Sequence, residues 1–148
     1  MNSFISSRLY NNETFYVAFT SDLRNAKRSV IIESPFITAK RMNGMTLILR
    51  GLRRAGVSII VNTRNPDEHD AEYAAQAVRA ISTMQDMGFT VLYTVKHHRK
   101  LAIIDGELLW EGSLNILSQN DSCEIMRRID SVPLALQMMK FIGVDRYL

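Results

Sequence analysis

The chain has 148 residues, of which 47% are hydrophobic and 22% charged, and this is the size and balance of one globular domain. Its apolar runs are far shorter than the roughly 18 to 20 residues needed to cross a bilayer, so a transmembrane helix is excluded. The single cysteine, Cys123, excludes an intramolecular disulfide and a thiolate zinc cluster, and we expect it to be a small buried residue in a strand. Because the first ten residues carry no signal-peptide pattern, we expect a cytoplasmic protein.

The formal net charge of +3 conceals a strong asymmetry along the chain. Residues 24–64 carry nine Arg and Lys side chains against one acid, Glu33, whereas residues 65–89 carry five acids against Arg79. The positive charge of residues 24–64 is suited to binding a polyanion such as nucleic acid, although a solvated, Arg-rich helix face would give the same pattern. The candidates for gripping a nucleic-acid backbone here are Arg41, Arg53, Arg54 and Arg64.

The first half of the chain alternates helices and strands. Apolar residues at helical spacing predict helices over residues 15–26, 41–55 and 72–87, and glycines at positions 56 and 88 are suited to end the last two. Short apolar runs predict strands over residues 30–33, 57–62 and 89–95. This alternation is typical of a parallel sheet covered by helices.

The second half changes character. Residues 101–104 and 107–110 flank Asp105-Gly106, a turn sequence that favours a hairpin, and residues 122–128 are a further strand candidate. Ser131 and Val132-Pro133 suit the start of a last helix, whose apolar stripe would be Leu134, Met138 and Phe141. Trp110 is expected in the core or at a subunit interface. Residues 1–148 therefore predict one α/β domain with a mixed, mainly parallel β-sheet sandwiched between α-helices.

The residues that carry chemistry are concentrated between positions 98 and 124. In an extended segment His98 and Lys100 point the same way, so an imidazole that attacks phosphorus would stand beside an ammonium that holds a phosphoryl oxygen. Ser113 and Asn115 follow a glycine and can donate to other phosphoryl oxygens, and Glu124 could fix the tautomer of the imidazole.

The pattern His98-x-Lys100-x4-Asp105, then Gly112-Ser113-x-Asn115, then Glu124, resembles the active-site motif of the phospholipase D superfamily. The resemblance implies the phospholipase D/nuclease-like fold and a two-step phosphoryl transfer that needs neither metal nor cofactor. One histidine forms a covalent phosphohistidine and a second protonates the leaving oxygen. Since this chain has one motif, the resemblance implies a homodimer in which two copies of His98 share one active site, with Lys100 and Asn115 clamping the phosphate. It also implies a structural role for the Asp105 carboxylate.

Each of these residues also has a simpler interpretation. Ser113 and Asn115 are common turn residues, and Glu124 near Arg127 and Arg128 could be a surface charge. His97 and His69 lack motif support and are expected to be exposed polar residues; His97 and Arg99 are kept as candidate nucleic-acid contacts.

Three functions compete on these grounds. The leading hypothesis is a phosphodiesterase that hydrolyses DNA, with RNA as the second substrate. The motif would equally support a phospholipase, but no amphipathic basic helix with exposed aromatics is evident, so stable membrane association is not expected. The third hypothesis is a non-catalytic module that binds nucleic acid or dimerises within a larger defence or repair system.

Overall fold

The structure is a computed structural model that describes residues 5–118 and 121–148. Its strands are β1 (Ser6–Asn11), β2 (Ser29–Glu33), β3 (Ser58–Arg64), β4 (Thr90–Thr94), β5 (Leu101–Ile104), β6 (Leu108–Gly112) and β7 (Ile125–Asp130). Its α-helices are α1 (Phe15–Arg24), α2 (Ala39–Arg54), α3 (Ala71–Asp86) and α4 (Val132–Ile142), and short 3-10 turns lie at Pro66–Glu68 and Asp145–Tyr147. None of the described helices is long and apolar enough to cross a membrane.

The seven strands form one mixed sheet in the order β1-β7-β6-β5-β2-β3-β4. Only the pairs β2–β3 and β3–β4 are parallel. The other four pairs are antiparallel: β5, β6 and β7 pair in chain order, β5 also pairs with β2, and β1 joins the far side of β7. The predicted α/β fold with a mixed sheet between helices is confirmed, although its parallel part is smaller than predicted.

Helices cover both faces of the sheet. Alternate residues of β2 point to opposite faces, so Val30 and Ile32 join the core beneath α1, α2 and α3, while Ile31 joins the core beneath α4. Trp110 is fully buried in the larger core, as expected, and its indole N–H donates to Asp22 Oδ2 at 2.9 Å. Among residues 5–118 and 121–148, α4 is the one α-helix on its face of the sheet, and Leu9 and Ile125 remain exposed.

Four sequence predictions in the outer parts of the fold were wrong or incomplete. Strand β1 was not predicted, and β7 begins at Ile125 rather than at residue 122. Cys123 is exposed and lies before β7, not buried in a strand. Phe141 is 81% exposed, because the buried positions of α4 are Ala135 and Met139.

The sheet has two ends that matter below. Strands β2, β3 and β4 finish at one end, where β5 begins antiparallel to β2; we call this the motif end, marked by Glu33, Arg64 and Thr94. The opposite end, marked by Ser29 and Asp105, is called the far end. Helix α2 starts at the motif end and finishes at the far end, because it connects the end of β2 to the start of β3.

Candidate active site

The two halves of the motif meet at the motif end of the sheet. His98 and Lys100 lie in the segment that leads into β5, and the backbone N–H of Gly112 at the end of β6 donates to the carbonyl of Lys100 at 3.3 Å. A side chain at position 112 would collide with the carbonyl oxygen of Ile125 and the Cα of Met126. Glycine is therefore required where β6 passes β7 closely.

His98 and Lys100 stand side by side as predicted. Lys100 Nζ lies 3.3 Å from His98 Nδ1 and 3.4 Å from Nε2, and it donates to the His98 carbonyl at 2.9 Å. Burial lowers the pKa of Lys100; the Glu124 carboxylate partly offsets this effect and the positive charge of Arg64 adds to it. The arrangement places an exposed imidazole beside an ammonium group, the pair that a nucleophilic attack on phosphorus requires.

Ser113 and Asn115 follow on the loop between β6 and β7. The Ser113 hydroxyl accepts from the N–H of Ile125 at 3.0 Å, which pins the end of β6 to the start of β7. Asn115 Oδ1 is buried and has no hydrogen-bond partner among the described residues. The Tyr16 hydroxyl donates to the carbonyl of Ile116 at 2.8 Å and so holds this loop against α1. Burial raises the pKa of Tyr16 to about 12, and neighbouring Arg41 lowers it in part.

Asp105 stands apart from these residues, at the far end of the sheet. Its carboxylate accepts from the backbone N–H groups of Lys27, Arg28 and Ser29 at 2.9, 2.7 and 3.0 Å. Burial alone would raise the pKa of Asp105, but these hydrogen bonds hold it below its ordinary value. Asp105 also sits at φ 57° in the hairpin turn, next to Gly106 at φ 63°. This geometry supports the structural role that the resemblance implies.

Glu124 lies at the motif end, where the negative charge of its carboxylate raises the pKa of Lys100. Its Oε2 accepts from the Ser122 hydroxyl at 3.1 Å, so its contact in the structure is Ser122 and not the His98 imidazole. Glu124 also lines a cavity of about 210 Å³ together with Tyr16, Arg41 and Ser118. The carboxylate is therefore next to the motif, while the predicted bond to the imidazole remains a prediction.

The predicted nucleic-acid contacts separate into two groups. Arg41, in the first turn of α2, lies at the motif end, with its guanidinium stacked 3.2 Å from the centre of the Tyr16 ring and its buried Nε without a hydrogen-bond partner among the described residues. Arg64 ends β3 at the same end, with Nε 3.6 Å from Glu68 Oε1. Arg53 and Arg54 end α2 at the far end, and Arg53 Nε donates to the carbonyl of Gly88 at 3.2 Å. The structure does not bring these last two to the motif.

His97 and Arg99 differ from expectation. His97 is only 2% exposed, so the prediction of an exposed polar residue was wrong, and a contact of its ring with nucleic acid loses support. Burial lowers its pKa, with the Glu33 carboxylate acting in the opposite direction. Arg99 pairs with Glu33, with Nε 2.6 Å from Oε1 and Nη2 3.1 Å from Oε2. His69 is half-buried, and its ring packs beside Phe36 and Tyr73.

Sequence reasoning missed Glu33 and Asn62 as part of this site. Glu33 is completely buried and Asn62 is 2% exposed, and the Asn62 amide donates to Glu33 Oε2 at 2.5 Å. The available signal was the carboxylate that closes the apolar run Val30-Ile31-Ile32, because a charged residue in a buried strand needs a partner. No group of three or more His, Cys, Asp or Glu among residues 5–118 and 121–148 is arranged to hold a metal ion.

Comparisons with known proteins agree with this geometry. A family model described as "Cardiolipin synthase, PLD-like domain" matches residues 19–143. A search of curated proteins found no match.

Solved structures resemble the fold over almost all of the chain. Nuc from Salmonella typhimurium, a phospholipase D family member, superposes with a TM-score of 0.75 at 16% identity, over 93% of this chain and 91% of that chain. NucT from Helicobacter pylori superposes with a TM-score of 0.73 at 16% identity, over 93% of both chains. A phosphatidylserine synthase from Haemophilus influenzae gives 0.66 at 9% identity, over 95% of this chain and 39% of that chain. Since the family model spans most of its length, the chain belongs to the phospholipase D-like family that its motif predicts.

Proposed function

We propose that this protein is a nuclease that hydrolyses phosphodiester bonds through a covalent phosphohistidine on His98, with DNA as the favoured nucleic acid and RNA as the alternative. The observation that carries the proposal is the pairing of an exposed His98 imidazole with the Lys100 ammonium group 3.3 Å away. In the first step an imidazole nitrogen forms a bond to phosphorus, the bond from phosphorus to the leaving oxygen breaks, and that oxygen takes a proton from an acid. In the second step a water oxygen bonds to phosphorus, the phosphorus–nitrogen bond breaks to free the His98 imidazole, and the water gives a proton to the group that acted as the acid.

The proton donor in this scheme is the His98 of a second copy of the chain. One imidazole cannot bond to phosphorus and protonate the leaving oxygen in the same step. The other two histidines are poor substitutes, because His97 is buried with a lowered pKa and His69 packs between aromatic rings. His98 is exposed at the motif end, where a two-fold axis could bring two copies together. We therefore propose a homodimer with one shared active site.

Charge supports a nucleic-acid substrate. Arg41 and Arg64 lie at the same end of the sheet as His98 and Lys100, and a phosphate backbone needs such cations on both sides of the scissile bond. The Arg41 guanidinium is held flat against Tyr16, which reduces the conformational entropy that it would lose on binding a phosphate. The Asn115 amide and the Lys100 ammonium group would clamp the phosphate that reacts.

A second candidate substrate is a phospholipid, and one structural feature favours it. An open groove of about 470 Å³ contains His98 and Lys100 together with the apolar side chains Leu9, Ile125 and Phe141. These three side chains are 57%, 61% and 81% exposed, so they offer apolar surface beside the motif that the sequence alone did not reveal. An acyl chain attached to the scissile phosphate would fit such a surface.

One assay distinguishes a nucleic-acid substrate from a phospholipid substrate. Labelled single-stranded and double-stranded DNA, RNA, and vesicles containing a fluorescent phospholipid are incubated with the protein in excess chelator. The nuclease proposal expects cleavage of nucleic acid that His98→Ala abolishes. Turnover of the lipid alone would replace the proposal by the phospholipase, and binding of DNA without any cleavage would favour the non-catalytic module. A cytoplasmic location, expected from the lack of a signal-peptide pattern in the first ten residues, remains a prediction.

A further inference from the structure

A buried polar network lies directly behind the motif. Glu33 is completely buried and accepts from three donors: Arg99 Nε at 2.6 Å, Arg99 Nη2 at 3.1 Å and Asn62 Nδ2 at 2.5 Å. Asn62 Oδ1 in turn accepts from the Thr94 hydroxyl at 2.9 Å. The network thus joins the ends of β2, β3 and β4 to the segment that carries His98.

Two further contacts hold the ends of this segment: the Lys100 carbonyl accepts from the N–H of Gly112 at 3.3 Å, and the buried His97 ring bonds to the backbone of Asn62. Residues 97–100 lie outside the strands, so no regular ladder of backbone hydrogen bonds fixes their orientation. Their side chains alternate: His97 is buried and Arg99 is bound to Glu33, whereas His98 is exposed and contacts Lys100. In an extended chain, holding one side chain against one face turns its two neighbours to the opposite face. The Arg99–Glu33 pair fixes the residue that lies between His98 and Lys100, and so bears on the direction of both.

We propose that Glu33 is a positioning residue for the reaction, which acts through Arg99 to orient the His98 imidazole and the Lys100 ammonium group. This inference rests on the proposed function in that it takes His98 and Lys100 as the reacting pair. It also changes the role of Arg99, from a contact with nucleic acid to an anchor of the motif.

The chemistry of the pair fits a positioning role better than a role in stability alone. Glu33 is completely buried while the Arg99 side chain is 40% exposed, so the carboxylate loses its hydration and this loss offsets much of what the ion pair would add to stability. Its advantage is geometric: two parallel hydrogen bonds from a planar guanidinium fix the direction of the side chain, and a lysine cannot reproduce them. A displacement of about 1 Å in a reacting group can cost about 10²-fold in rate.

The test compares Arg99→Met with a matched control, Arg128→Met. Arg128 forms a pair of the same bidentate geometry with Asp22, with Nε–Oδ2 2.7 Å and Nη2–Oδ1 3.0 Å, but it joins β7 to α1. The substrates are labelled single-stranded DNA and bis(4-nitrophenyl) phosphate, a small diester without neighbouring phosphates. The double variant Glu33→Gln/Arg99→Met leaves no unpaired buried charge and serves if Arg99→Met does not fold. Arg99→Lys is the conservative variant.

We expect Arg99→Met, or the double variant in its place, to lower kcat about 10-fold to 100-fold on both substrates, with KM within about two-fold of wild type. Arg99→Lys should recover part of the loss, and Arg128→Met should retain kcat. The inference is overturned if kcat of the Arg99 variants stays within two-fold of that of Arg128→Met. It is also overturned if only KM for DNA rises, which would return Arg99 to a nucleic-acid contact.

A second readout does not depend on activity. Nuclear Overhauser contacts between the His98 ring and the Lys100 side chain should be present in the wild type and in Arg128→Met, and lost in the Arg99 variants. Their survival in those variants would contradict the inference. If the wild-type protein cleaves neither substrate, the proposed function fails, and the loss or survival of these contacts still decides whether Glu33 and Arg99 orient the pair.

Discussion

Lys100 and Asp105 belong to one motif but stand at opposite ends of strand β5. Lys100 contacts His98, whereas the Asp105 carboxylate accepts from three backbone N–H groups in the loop before β2 and at the first residue of β2. The fixed spacing of the motif therefore joins two different requirements. One is the chemistry of the site, and the other is the attachment of the hairpin β5–β6 to the loop before β2.

Asp105→Asn tests this division of roles. Asparagine tolerates the positive φ of the turn but replaces one acceptor oxygen by a donor that faces backbone N–H groups, so we expect a loss of about 1–3 kcal/mol in the free energy of unfolding. Urea denaturation measures this loss. Below the melting transition kcat should stay within about two-fold of wild type, and a loss of kcat comparable to that of a His98 variant would show that Asp105 takes part in the reaction.

The loss of activity at high pH should be set by the pKa of Lys100. Loss of the ammonium proton removes the charge that holds the phosphate, so activity falls as the pH rises through the pKa of Lys100, which burial lowers. Because the Glu124 carboxylate raises that pKa, Glu124→Gln should move the alkaline limb of the pH–rate profile to lower pH. Glu13→Gln, a change of the same kind in the same cavity, should leave the limb in place. Equal profiles for wild type and Glu124→Gln would contradict the arrangement described.

The basic residues of α2 should contribute unequally to DNA binding. The helix rises about 1.5 Å per residue, so Arg54 lies about 20 Å along the axis from Arg41. Arg41→Ala should weaken DNA binding and reduce the slope of log K against log salt by about one, while Arg54→Ala should change neither. Fluorescence anisotropy at several salt concentrations measures both quantities. If the two variants lose affinity equally, the protein binds DNA along the whole helix and not at its first turn.

Acid should destabilise the fold through His97. Burial lowers the pKa of His97 in the folded state, so below about pH 6.5, the ordinary value, the unfolded chain takes up a proton more readily than the folded one. The resulting stability is fully present above pH 6.5 and is lost as the pH falls toward the folded-state pKa. His97→Gln should flatten this part of the stability profile measured by thermal melting. If the stability of His97→Gln falls with pH as steeply as that of the wild type, groups other than His97 cause the loss.

The sequence predicted the parts of the structure that depend on local signals. Apolar periodicity and the glycines at 56 and 88 located α2 and α3 within two residues, and the motif identified the family. Strand β1 escaped prediction because it pairs only with β7 and its residues are exposed except for the partly buried Tyr10, so neither an apolar run nor an alternating pattern marks it. Arg53 and Phe141 lie near the ends of their helices. Whether such a residue faces the motif or the core depends on how the helix is placed on the sheet, and local sequence patterns do not encode that placement. The partner of Arg99 lies 66 residues away, and only the fold brings Glu33 to it.

The central claim is that His98 is the nucleophile and that two copies of it are needed. The most direct measurement follows the cleavage of labelled single-stranded and double-stranded DNA in excess EDTA by wild type and His98→Ala, at protein concentrations that sedimentation shows to lie above and below dimer dissociation. We predict cleavage by the wild type that falls away as the dimer dissociates, and a loss of about 10³-fold or more in His98→Ala. Cleavage that survives in His98→Ala, or wild-type activity per chain that is the same for monomer and dimer, would contradict the account.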